Sequence, residues 1–143
     1  YYMKILLDEA VEIVKSLSEV HLNYLSLIFL CKQTKMNGIN SIESLKEHCE
    51  YICAKMPVTN GIESSIPFLH MLRLLTISLG SAAEVYSEQY NLDIDKVKEI
   101  LPLAMNSIPG DYSLTPVGII IAIINIRNKT NLNLEFKIWI KSI

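Results

Sequence analysis

Residues 114–126 read Leu-Thr-Pro-Val-Gly-Ile-Ile-Ile-Ala-Ile-Ile-Asn-Ile, and they constrain the fold more than any other stretch. Thr115 suits the N-cap of a helix, and Pro116 the first helical position, where a missing N–H breaks no bond. Of the eleven residues from Pro116 to Ile126, nine have apolar side chains and only Asn125 is polar. A helix that is apolar all round sits inside a helical core or a membrane. This one is too short to span, because a bilayer takes about 20 apolar residues. The expectation is an all-α fold: a compact bundle of about six to seven helices around a central apolar helix, residues 116–128.

The remaining composition agrees with a single domain over residues 1–143. Half of the residues are hydrophobic and a fifth are charged, which suits a folded chain of this length. A net charge of −2 gives no electrostatic case for binding nucleic acid or an anionic membrane surface. Three cysteines do not make a disulfide framework, so a cytoplasmic setting is expected. Asp8, Glu9 and Glu12 interrupt the first apolar pattern, where a signal peptide would be uncharged. The chain opens on Tyr1 rather than methionine. Either the first two tyrosines are additions, or the domain is the C-terminal part of a longer protein.

Helical spacing assigns most of the other segments. Ile5, Leu6, Ala10, Ile13, Val14 and Leu17 give a first helix over 3–17. Ser16-x-x-Glu19 reads as a capping box for a second, apolar along Val20, Tyr24, Leu27, Ile28 and Cys31. Asn40-x-x-Glu43 opens a third, which Pro57 stops. A fourth begins at Ser64 or Ser65 and buries Phe68, Met71, Leu72, Leu75 and Leu79 before Gly80. Ser81-x-x-Glu84 caps a fifth through Tyr90, and Asp93 opens a sixth that Pro102 ends. After Asn131 the period changes. Leu132, Leu134, Phe136, Ile138 and Ile140 alternate with polar residues and Trp139, which reads as a short C-terminal strand without a partner in the chain, or as a short helix.

Candidate sites are few. Cys49 and Cys53 lie one turn apart beside His48, but Cys49 falls on the apolar stripe and no second ligand pair follows. Packing is expected, with no metal and no disulfide. His21 offers a general base without a nucleophile at readable spacing. His70 and Arg73 read as a solvated face, and Tyr86 and Tyr90 as half-buried rings with wet hydroxyls. Asn125 needs an Asn, Ser or backbone partner on a packed neighbour. If distant helices assemble a pocket, His21, Asn125 and Tyr112 are its candidates. Leu134, Phe136, Ile138 and the exposed-side Trp139 are candidates for an interaction surface.

Three segments carry a resemblance: Leu17-Ser-x-x-His21-Leu-x-x-Leu25, Leu114 through Asn125, and Leu134 through Ile140, about a fifth of the chain. On these the chain resembles an uncharacterised bacterial family of small helical domains labelled by locus tags, the LPO/Vpar family. More loosely it is similar to the abortive-infection alpha (Abi-alpha) group. The resemblance implies a domain at the C-terminal side of longer bacterial proteins, and through the second group a link to phage defence. It assigns no catalytic residue and no cofactor. The function expected is therefore a bacterial helical interaction domain rather than an enzyme, binding a protein partner or a second copy of itself as a homodimer. The alternative is an enzyme or small-molecule sensor whose pocket is built from distant helices.

Overall fold

The computed structural model describes residues 2–132. The alternating segment from Asn133 onward lies outside the described residues, and with it the strand reading and the proposed contacts of Leu134, Phe136, Ile138 and Trp139. The described residues form seven α-helices and one two-stranded sheet, in agreement with an all-α bundle.

Two helices make the centre, not one. Helix α7 (Pro116–Lys129) is buried at every position from Val117 to Ile123, with Thr115 Oγ1 accepting the Gly118 N–H as its cap. Helix α2 (Glu19–Lys32) is buried without interruption from Asn23 to Cys31. The two pack antiparallel. Lys129 reaches Glu19 at one end, and Gln33 holds Leu114 at the other. Both are apolar on nearly every side through their middle turns, the pattern of a helix enclosed by others.

The cap of α2 differs from the sequence reading. Ser16 still belongs to the turn closing α1 (Tyr2–Val14), since its N–H donates to Ile13 O at 2.9 Å. Ser18 is the N-cap instead. Its Oγ accepts the His21 N–H, and the Ser18 N–H donates to His21 Nδ1 at 3.1 Å. Helix α3 (Ile42–Lys55) is likewise capped one residue later than expected, by a Ser41–Ser44 pair rather than by Asn40 and Glu43. It buries Leu45, Cys49 and Ile52, as the spacing indicates.

The larger departure follows a 3-10 turn at Ile62–Ser65. Helix α4 covers only Ile66–Met71. Arg73 takes φ +62°, its N–H donates to His70 O and the Leu74 N–H to Leu69 O. That is a Schellman ending, usually made with glycine. The chain then enters strand β1 (Leu75–Ile77) instead of continuing to Leu79. Leu69, Leu74 and Leu75 are buried, whereas Met71 and Leu79 are 71% and 80% exposed. Leucines at 72, 75 and 79 imitate a helical stripe, and without a glycine at 73 nothing marks the break.

Helix α5 (Ala82–Tyr90), boxed by Ser81 and Glu84, and helix α6 (Ile94–Ile100), capped by Asp93, follow the sequence reading. A second 3-10 turn at Leu103–Ser107 leads to strand β2 (Tyr112–Leu114), which pairs antiparallel with β1, Thr76 opposite Ser113. The Thr115 N–H donates to Leu74 O at 3.0 Å, and a Cβ on Gly118 would stand 2.7 Å from that same carbonyl. Gly118 is thus what lets α7 start hard against the sheet.

Candidate functional site

Helix α1 buries only Leu6 and Ala10. The stripe expected to cover its length leaves Ile5 46% and Val14 39% exposed, with Val11 exposed beside them. The apolar surface it cannot bury opens onto α7. Between α1, α2 and α7 lies a groove of about 360 Å³, lined by apolar side chains of all three, among them Val11, Val14, Leu22 and Ile124. Asn125 and Asn128 supply its amides.

The floor of this groove is fixed from behind by a polar seam. Asn125 Nδ2 donates to Ser26 Oγ at 2.8 Å and to Asn23 Oδ1 at 3.2 Å. Ser26 Oγ donates back to Leu22 O, and Asn23 Nδ2 donates to Pro57 O at 2.8 Å. Lys129 Nζ closes the seam with bonds to Asn23 Oδ1 at 2.6 Å and to Glu19 Oε1 at 2.8 Å. The lysine's hydrogen bond, then its charge, hold the Glu19 carboxyl below its ordinary value. Asn125 therefore has the Asn and Ser partners that a buried amide requires. Neither partner was legible, because Asn23 and Ser26 lie about a hundred residues away.

A second polar interior lies between α2, α3 and α5. The fully buried Tyr86 hydroxyl has no nitrogen or oxygen partner and faces only the weakly bonding sulfurs of Cys31 and Cys49. Elsewhere on α3 and α5, His48 Nε2 and Gln89 Oε1 are buried without a partner. Tyr90 differs, its hydroxyl accepting the Met36 N–H at 2.8 Å. All three cysteines are free thiols. Burial pushes Cys31 and Cys49 up to about 12 and Cys53 up to about 11, so each is protonated at neutral pH and a poor nucleophile or ligand. Among the described residues no group of three or more His, Cys, Asp or Glu is placed to hold a metal ion.

The three pocket candidates are dispersed. His21 is engaged in the α2 cap, with its ring 5.4 Å from that of Phe68. Tyr112 lies in β2 at the opposite end of α2, its ring 5.3 Å from His70. Only Asn125 lines the groove. The groove residues on α1 went unread because a surplus of apolar residues on a short helix looks, in sequence, like more core.

Fold and site together define a small helical domain with a preformed apolar groove. The chain belongs to a family designated by a locus tag, whose model matches residues 1–108 and 93–140. No curated protein and no solved structure matches it. Among the described residues no helix is long and apolar enough to cross a membrane.

Proposed function

We propose that this is a bacterial, cytoplasmic interaction domain that binds a helix of a partner protein in the α1–α7 groove. The observation that carries the reading is a groove whose rim exposes Val11, Val14 and Ile124 while its floor is held by a satisfied polar seam. Its flanking helices have 13 and 14 residues, a trough about 20 Å long. Such a trough suits an amphipathic helix with anchors at helical spacing. The charges along α1 are largely matched within the helix, Lys4 to Asp8 and Lys15 to Glu12, so the occupant is selected by its apolar row. A role in phage defence extends this reading and is supported by the abortive-infection likeness alone.

A photo-crosslinking residue at Val11 or Ile124, with Glu88 on α5 as control, tests the proposal in cells. The adduct is identified, its partner purified, and the affinity measured for the wild type and for Val11→Asp and Ile124→Asp. The expected result is an adduct through a helix at the groove positions only, with binding weakened about tenfold or more, some 1.4 kcal/mol. A partner that binds both variants normally, or an adduct made only by a small ligand in the groove, overturns it. The second outcome would favour the sensor alternative, for which the groove is also large enough.

A further inference from the structure

The Asn125 carboxamide is tied at its nitrogen and open at its oxygen. Ser26 directs its hydroxyl hydrogen to Leu22 O, so its oxygen is left to accept. Asn23 turns Nδ2 to Pro57 O, which leaves Oδ1 as the atom it offers to α7. Both partners therefore require donors, and Asn125 Nδ2 supplies them at 2.8 and 3.2 Å. The amide cannot turn over without setting acceptor against acceptor. Among the described residues no donor reaches Asn125 Oδ1. The residue is only 6% exposed, and it lines the groove.

An empty groove lets water satisfy that oxygen. An occupant that fills the groove displaces the water. If its row over Asn125 is purely apolar, it buries a carbonyl oxygen without a partner, and that desolvation counts against binding. The donor that fits is neutral. Among the described residues the lining holds no carboxylate to balance a cation. The Lys129 ammonium also stands on Asn23 Oδ1, the same atom that accepts from Asn125, so a second cation there is repelled. Asn128 lies three residues further along α7, on the same face, and lines the groove with a donor and an acceptor of its own. Two amides one turn apart can hold a third: Asn125 Oδ1 accepts its N–H, and Asn128 Nδ2 donates to its C=O.

We infer that the groove selects a helix whose apolar row is interrupted by one carboxamide, Asn or Gln, seated over Asn125 and Asn128. This rests on the helix-binding reading above and adds what distinguishes one helix from another. Apolar anchors alone allow several registers. One buried amide in the row fixes a single register and disfavours competitors that are apolar throughout.

A displayed library of amphipathic helices tests it. Each member keeps Leu at all but one position of its apolar row, and that position is varied among Leu, Ala, Ser, Asn, Gln, Lys and Glu. Selection is made on the full chain, and helices that also bind Val11→Asp are discarded, which leaves the groove binders. Asn and Gln are expected to dominate the varied position. Replacing that amide by Leu in a recovered helix should weaken binding to the wild type about tenfold by calorimetry. With Asn125→Leu the preference should reverse. If that variant does not fold by circular dichroism, Asn128→Ala, which leaves the seam intact, should cut the preference for the amide over Leu about threefold. Dominance of any other residue, or an amide preference that the folded variants leave unchanged, overturns the inference and leaves the helix-binding reading standing. Recovery of no helix that Val11→Asp discriminates overturns that reading, and the inference with it.

Discussion

The interior holds two buried polar regions of opposite quality. Along the α2–α7 seam the amide donors of Asn23 and Asn125, the Ser26 hydroxyl and the Lys129 ammonium all meet oxygen acceptors. On α3 and α5, away from that seam, Tyr86, His48 and Gln89 each bury an atom that meets no nitrogen or oxygen partner. A satisfied buried network fixes one arrangement of its helices, because any other leaves polar groups stranded. An unsatisfied group only lowers stability. The groove is backed by the first region, and the second lies away from it. Rigidity has been placed where the candidate binding surface is.

The largest expected effect comes from breaking the seam. Asn23→Ala takes the donor from the Pro57 carbonyl and one bond each from Asn125 and Lys129, which keep Ser26 and Glu19, and should lower the unfolding free energy by about 3 kcal/mol in urea titration. A loss below about 1 kcal/mol would show that water replaces the side chain freely. Gly118→Ala tests the junction that seats α7 on the sheet. Its Cβ meets a backbone carbonyl that cannot rotate away, for an expected loss of about 1–3 kcal/mol.

The opposite region should respond in the opposite sense. Tyr86→Phe removes a buried hydroxyl whose neighbours are thiol sulfurs, weak partners at best, and should be neutral or stabilising by up to about 1 kcal/mol. A loss of about 2 kcal/mol would mean that the Cys31 and Cys49 sulfurs serve as real partners.

Acid separates the two regions further. Burial lowers the His48 pKa in the folded chain, so below its ordinary value of 6.5 the unfolded chain binds more protons. Stability that is full above 6.5 should therefore fall as the pH drops towards the folded pKa, and His48→Leu should abolish that slope. The seam answers lower. The folded Glu19 pKa is depressed, so its contribution is present above 4.5 and is lost as the pH falls through the folded value. Melting temperatures of the wild type and the two single variants, His48→Leu and Glu19→Gln, should resolve the two windows. A wild-type slope between neutral pH and 5 that survives His48→Leu assigns it to another group.

How far the sequence revealed these regions depends on the range of the interactions. The ends of α5, α6 and α7 were legible because Ser81 with Glu84, Asp93, and Thr115 with Pro116 act within one turn. That Asn125 needs Asn or Ser partners was legible from its burial, but which ones depends on how α7 crosses α2. Where two local signals compete, as Ser16 and Ser18 do, the closing turn of α1 decides, and spacing alone does not show it. The sheet was hidden because Arg73 adopts a glycine-like conformation that Leu74 and Leu75 stabilise by burial. Replacing it tests that exchange. Arg73→Gly should gain about 0.5–1 kcal/mol by relieving the left-handed strain. The Tyr86 hydroxyl, expected in water, is buried because α5 lies against α2 and α3, a packing choice no pattern in residues 82–90 records.

The seam's role as the unit that holds α2 and α7 in place behind the groove is tested most directly by a double-mutant cycle of Asn23→Ala and Asn125→Ala, read as unfolding free energy. A shared network gives a coupling of about 1–2 kcal/mol, with the double variant losing less than the sum of the two single losses. Additivity within about 0.3 kcal/mol would contradict it, because the two amides would then act as independent groups.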